Sequence, residues 1–175
     1  YLKSQEYFYK NQIKNVKCYP AKSSQYGDLK VKLFPSLLHA LEKIGIKRLY
    51  KHQAKGINAA IKDGSHVVIS TSTSSGKSVV YNVPVLQEMI KNENATAIYM
   101  FPTKSLSHDQ VSSLKHLSDA VMSSMGNLLS SRNQVEGSGT GIEATSEEQH
   151  SFIMSFDGDS KQADRKVVKD RARII

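Results

Sequence analysis

Apolar residues along this chain alternate between helical stripes and short unbroken runs, and the alternation predicts most of the elements. Pro35 suits the first position of a helix, Leu37, Leu41 and Ile44 then recur on one helical face, and Gly45 follows as a stop. A second stripe starts near Lys51 or His52, turns Ile57, Ala60 and Ile61 inward, and ends at Asp63-Gly64. Val67-Val68-Ile69 is a short apolar run bounded by polar residues, the mark of a buried strand. After Ser78 comes a helix that is apolar nearly all round (Val79, Val80, Val83, Leu86, Met89, Ile90), with Pro84 expected to kink rather than end it. A turn at 92–94 leads into a second central strand at 95–101, ATAIYMF, and a further helix from Lys104 places Leu106, Val111, Leu114 and Leu117 inward. Strand, helix, strand, helix at this spacing predicts an α/β fold: a parallel sheet with helices on its faces and ligands at the carboxyl ends of its strands.

The flanks differ from this middle. Residues 1–33 form a basic, tyrosine-rich arm, in which Val16 and Cys18 alternate around Lys17 as in a short edge strand ended by Pro20. Tyr7, Phe8 and Tyr9 suit packing of the arm onto its domain better than stacking on bases. Residues 34–122 are the first part of the core domain. Residues 123–151 are dominated by Ser, Gly, Asn, Gln and Glu around GSGTG, the composition of a flexible surface insertion. Residues 152–175 resume the domain, with a strand at 152–156, a tight turn at Asp157-Gly158-Asp159, Ser160 as a helix N-cap, a charged helix bearing Arg165 and Lys169, and a strand beginning at Ala172. The chain opens on Tyr1 and stops inside an apolar pattern, so it is expected to be a piece of something longer.

Composition narrows the partners. The net charge is +8, which favours an anionic partner, nucleic acid or a membrane surface. Cys18 is the single cysteine, so an internal disulfide and a cysteine metal cluster are both excluded and an intracellular protein is expected. The six histidines are scattered without ligand spacing, and no apolar run is long enough to cross a bilayer.

Chemistry concentrates at residues 66–78, HVVISTSTSSGKS. A strand, a loop of small residues and a helix, in that order, build a phosphate-binding loop: backbone N–H groups surround the anion and the helix N-terminus adds partial positive charge. Gly76 allows a conformation or close approach that a side chain forbids, Lys77 reaches the β- and γ-phosphates, and the Ser78 hydroxyl binds the accompanying magnesium. Thr71 stands where the usual pattern has its first glycine. An ordinary Ser-rich turn would not account for Lys77 in the first helical turn, the wrong end for a cation unless an anion is present. Tyr50 and Gln53 lie at the start of the preceding helix, where an amide has the donor and acceptor to read adenine, although a glutamine on a helix is more often simply solvated. Pro102-Thr103-Lys104 follows the second strand, and a hydroxyl, an ammonium and a helix N-terminus together suit a phosphate or sugar backbone.

Tyr50-Lys51-His52-Gln53, TSTSSGKS, YNVP at 81–84 and FPTKSLSHDQ at 101–110 resemble the opening motifs of superfamily-two helicases, with the nearest likeness to the Hrq-type, RecQ-like DNA helicases. SFDGDSKQADRKVVKDRARII is similar to a more discriminating segment of that group. The likeness covers most of 1–120 and 152–175. It implies a RecA-like domain cut before its Walker B strand, with Gln53 reading adenine and Tyr50 or Arg48 near the base. Thr73, Ser74, Ser75, Gly76, Lys77 and Ser78 would hold ATP, Lys77 and Ser78 being the catalytic pair and Ser78 the Mg2+ ligand. Thr103, Lys104 and Gln110 would grip the tracking strand, and Asp157-Gly158-Asp159 would touch nucleic-acid backbone. The family's acidic Asp-Glu-x-His box and its second RecA-like domain would lie beyond Ile175, so this stretch alone is expected to hydrolyse ATP negligibly.

The implied activity is that of an ATP-dependent 3′–5′ DNA helicase, nuclear, acting on single-stranded or forked DNA. The alternatives are an RNA helicase of the same superfamily and a nucleic-acid-binding module with a vestigial nucleotide site. Retention of Gly76, Lys77 and Ser78 together argues against the last. A P-loop kinase would need an acceptor-substrate site, which the chain does not offer.

Overall fold

Four helices carry the architecture of the computed structural model, which describes residues 15–21, 23–133, 153–156, 166–168 and 172–174, with side chains in the last helix described through Gly126. They are α1 (Pro35–Lys43), α2 (Lys51–Ile61), α3 (Lys77–Lys91) and α4 (Lys104–Asn133). Phe34 caps α1 with Pro35 at its first position. The helix closes where Gly45 N–H donates to the Glu42 carbonyl (2.9 Å) and Ile46 N–H to that of Leu41 (2.8 Å). Leu37, Ala40 and Leu41 are buried, and this face packs mainly against α4, whose Leu114, Leu117 and Val121 share the core.

α2 packs against α3 at Gly56, where a Cβ would collide with Val80 Cγ1 and stand 3.0 Å from Ile69 Cδ1. Only hydrogen fits there. That close approach holds the start of α2 beside the start of α3, and so builds the site. Pro84 lies inside α3, which continues past it to Lys91 as expected. The far end of α3 is closed from a distance: the Arg173 guanidinium donates to the carbonyls of Met89 (3.3 Å), Asn92 (2.9 Å) and Ala95 (3.2 Å).

The arm is laid over α2 and α3 by two side-chain amides. Asn58 accepts from Lys30 N–H (2.7 Å) and donates to the Asp28 carbonyl (3.0 Å). Gln87 accepts from Phe34 N–H (3.0 Å) and donates to the Lys32 carbonyl (3.2 Å). Backbone bonds from Gly27 N–H to the Leu49 carbonyl and from Lys51 N–H to the Gln25 carbonyl make an antiparallel bridge between Tyr26 and Tyr50. The expected edge strand at Val16 and Cys18 is instead exposed chain without a bridge. The alternation was there, but no partner strand lies beside it among the described residues.

Strands are represented by single bridges. Ile174 pairs in parallel with both Ala97 and Ile153, through Ala97 N–H to the Arg173 carbonyl (2.7 Å) and Met154 N–H to the Ile174 carbonyl (3.0 Å). Residues 172–174 therefore run between 95–101 and 153–156. The direction is the expected one, but no continuous ladder forms among the described residues, and 66–71 enters no bridge. Burial at 95–101 is one-sided: Ala95, Ala97 and Tyr99 pack on the core, whereas Ile98 and Met100 are 76% and 88% exposed. Val68 is 96% exposed.

Two further expectations differ. α4 runs on to Asn133, through residues whose composition suggested a flexible insertion from 123. Its serines are compatible with helix because Ser124, itself buried, returns its hydroxyl to the Ala120 carbonyl (2.6 Å). Leu106, expected inside, is 39% exposed because it faces a cavity in front of the start of α3.

Candidate nucleotide site and nucleic-acid interface

The loop between Thr71 and Gly76 closes on itself. Ser74 and Gly76 both take left-handed backbone, with φ of 58° and 72°, and backbone of this kind turns successive N–H groups toward one concave side. The Thr71 and Ser75 hydroxyls are 2.6 Å apart. Gly76 is the N-cap of α3; no side chain caps that end and no acid lies in its first turn. The end is electropositive, and it carries Lys77 as well. The Lys77 ammonium donates to the carbonyls of Thr71 (3.0 Å) and Ser72 (2.6 Å), so the loop wraps around its own lysine. Thr73 through Ser78 line a cavity of about 1100 Å³ that also receives Tyr81, Phe101, Leu106 and Gln110.

On one side α2 braces the loop. Gln53 is 4% exposed and uses both ends of its amide: Oε1 accepts from Tyr50 N–H (2.8 Å) and Nε2 donates to the Gly76 carbonyl (2.9 Å). Each end keeps one further hydrogen-bonding position. His52 Nε2 bonds the Ser75 carbonyl at 3.0 Å, as the donor in the Nε2–H tautomer. Its ring continues a column of side chains: His52 stacks on Tyr50 (5.9 Å between centroids), Tyr50 on Tyr26 (5.5 Å), and the Arg48 guanidinium lies 4.2 Å over Tyr26. Beside the column is a second hollow of about 530 Å³, lined by Gln25, Tyr50, Lys51, His52, Lys55, Ser74 and Ser75. Tyr50 faces that hollow, whereas Gln53 lies beneath the loop. Sequence reasoning missed His52, whose only signal is adjacency to Gln53, and Tyr26, which reaches the column through folding alone.

On the other side stands α4. Thr103 precedes its first turn, with its hydroxyl accepting from Leu106 N–H (3.3 Å) and its carbonyl from Ser107 N–H (3.0 Å). Thr103 and Lys104 are both exposed. Gln110, expected on the nucleic-acid side, also lines the cavity in front of the loop, and its Oε1 accepts the Tyr81 hydroxyl at 2.6 Å. Tyr81 meets Tyr99 edge-on (5.6 Å), and the Tyr99 hydroxyl donates to Asn82 Oδ1 (3.1 Å). Burial pushes the pKa of both phenols up, with the charge on Tyr81 adding to the effect at Tyr99. Asp157, Gly158 and Asp159 lie outside the described residues. Among the described residues no three His, Cys, Asp or Glu side chains gather as a metal cluster.

A loop of small residues ending in Gly-Lys-Ser, set at an uncapped and acid-free helix N-terminus and opening into a large cavity, defines a P-loop domain. Residues 50–170 match the DEAD/DEAH box helicase family, and the chain belongs to that family. It is 48% identical over 97 residues to ATP-dependent helicase hrq1 of Schizosaccharomyces pombe, covering 55% of this chain and 9% of that one. It is 30% identical over 174 residues to ATP-dependent helicase HRQ1 of Saccharomyces cerevisiae, covering 99% of this chain and 14% of that one. The crystal structure of the DUF1998 helicase MrfA bound to DNA and AMPPNP superposes with a TM-score of 0.65 at 29% identity, over 87% of this chain and 18% of MrfA. The chain thus spans less than a fifth of the length of each of these relatives. The RecA-like fold follows from the family and the superposition, and the Hrq-type resemblance is borne out.

Proposed function

We propose that this chain is the ATP-binding part of an ATP-dependent DNA helicase, one that moves 3′–5′ along single-stranded or forked DNA in the nucleus. The observation that carries the reading is the corner formed by Lys77 and the start of α3: a positive helix end with neither cap nor acid, in front of a cavity wide enough for a nucleotide. In this reading residues 66–71, 95–101, 153–156 and 172–174 are strands of one parallel sheet. Residues 1–33 are an arm, 34–122 and 152–175 one motor domain, and 123–151 an insertion. Thr73 through Ser78 surround the phosphates, and Lys77 exchanges the Thr71 and Ser72 carbonyls for phosphate oxygens. The Ser78 hydroxyl is the protein's own ligand for Mg2+, the donor set fitting an ion held mostly by phosphate and water. Tyr50 lies against the base, with Gln53 offering its remaining donor and acceptor. Thr103, Lys104 and Gln110, with Asp157 and Gly158, contact the strand. The names of the relatives and the DNA and AMPPNP in the MrfA complex support this.

Titration of a fluorescent ATP analogue into wild type and Lys77→Ala tests it. Hydrogen bonds to charged groups contribute about 1.5–3 kcal/mol, so the variant should bind roughly tenfold to a hundredfold more weakly. Equal affinity would overturn the assignment.

A further inference from the structure

We propose that Tyr81 is a positioning residue that couples the nucleotide site to the nucleic-acid site through its hydrogen bond to Gln110. This rests on the function proposed above. Tyr81 follows Ser78 by three residues and Lys77 by four, so it shares their face of α3 one turn along. All three line the same cavity. Val79, Val80, Val83 and Leu86 bury the rest of α3, so its first two turns move as one body. On α4, Gln110 follows Thr103 by seven residues and Leu106 by four, which places the three on one face over two turns. Thr103 holds the N-terminus of α4.

Between these two faces the Tyr81 hydroxyl meets Gln110 Oε1 at 2.6 Å. The phenol is constrained on its other side by Tyr99, whose own hydroxyl is anchored on Asn82 of α3. The Tyr81 phenol, with an ordinary pKa of 10.0 that burial raises further, is protonated at neutral pH and therefore a donor. Gln110, having accepted one bond, still has two N–H donors and a second lone pair for a nucleic acid strand. When the Lys77 ammonium leaves the Thr71 and Ser72 carbonyls for a triphosphate, the loop is released and the start of α3 shifts with it. Tyr81 carries that change to Gln110, and by reciprocity a strand bound at Gln110 biases the loop.

The test uses the full-length protein, a fluorescent oligothymidylate and AMPPNP. The quantity read is the ratio of DNA affinities with and without AMPPNP, taken within each variant so that changes common to both states cancel. Tyr81→Phe keeps the ring and removes only the hydroxyl, and an unchanged melting temperature within a few degrees verifies the fold. The ratio should fall to within about twofold of one. In the double variant with Gln110→Leu, it should match Gln110→Leu alone. A wild-type ratio in Tyr81→Phe, or an additional loss in the double variant, would overturn the proposal. If wild type binds AMPPNP but shows a ratio of one, the coupling fails while the nucleotide site stands. If Lys77→Ala binds AMPPNP as tightly as wild type, the nucleotide site itself is wrong and the coupling falls with it.

Discussion

The two walls of the phosphate loop are built differently. On the α2 side, Gln53 and His52 hold consecutive loop carbonyls, those of Gly76 and Ser75, and Gln53 is nearly sealed from solvent. On the α4 side a phenol–amide bond, Tyr81 to Gln110, joins the two helices in partly exposed surroundings. Both walls engage polar groups, but they differ in what happens when a bond is lost. The part-buried bonds of the α2 side contribute about 0.5–1.5 kcal/mol each, whereas an exposed pair can exchange with water for little. The first wall therefore fixes the shape of the loop, and the second is free to change partners as ligands arrive. Substitutions at each wall should separate these roles.

Gly76→Ala should have the largest effect. A side chain at φ 72° is strained, by about 1–2 kcal/mol for left-handed backbone. Its Cβ would also stand 2.5 Å from Gln53 Nε2, displacing the amide that braces the loop. Strain and lost bracing together predict about 2–4 kcal/mol of lost stability. Urea unfolding checks the loss, and nucleotide binding should disappear with it. Stability within 0.5 kcal/mol of wild type would mean that the α2 wall is not rigid (roughly the range of neutral surface changes).

Gln53→Ala comes next, because it removes the bracing without the strain. It leaves Tyr50 N–H and the Gly76 carbonyl without their partners, at about 1–3 kcal/mol. Nucleotide affinity should drop in step, since the loop loses its shape. If affinity falls while stability does not, Gln53 contacts the base rather than the loop, and the contrast between the walls would shift accordingly.

How much of this was legible beforehand depends on the kind of signal. Helix ends were clear where single residues enforce them: Pro35 opens α1, Gly45 and Gly64 follow α1 and α2 with left-handed backbone, and Gly76 starts α3. The place of the 71–76 loop before α3 was legible for the same reason, since Gly-Lys-Ser occupies adjacent positions there. The reach of α4 was not, because serine reads as linker until a buried hydroxyl such as that of Ser124 finds its own helix carbonyl. The apolar run at 67–69 described a two-sided environment, yet Val68 is exposed; composition states what a strand can bury, not whether a partner lies beside it. Gln53 was singled out for its amide, but its place beneath the loop depends on how closely α2 approaches α3 at Gly56. The Tyr26–Tyr50 stack and the Tyr81–Gln110 bond join residues distant in sequence, so no spacing rule contains them.

The smallest expected effect lies on the outer wall and fades in alkali. Tyr99→Phe removes the donor to Asn82 Oδ1, which is itself buried, and should cost about 1 kcal/mol at neutral pH. The folded-state pKa of Tyr99 is raised above its ordinary 10.0, by burial first and by the Tyr81 charge second. A raised pKa means that the native state holds the proton more tightly than the unfolded chain. Its contribution is complete below pH 10 and is lost as the pH climbs from there toward the folded value, because the unfolded phenol ionises first. Wild type should therefore lose stability above pH 10 faster than Tyr99→Phe, and the difference between them should narrow as pH rises. Urea midpoints measured from pH 7 to 11 check the sign. Parallel curves would mean that Tyr99 ionises freely in the native state, and that the phenol pair behind Gln110 is as open to water as its surface neighbours.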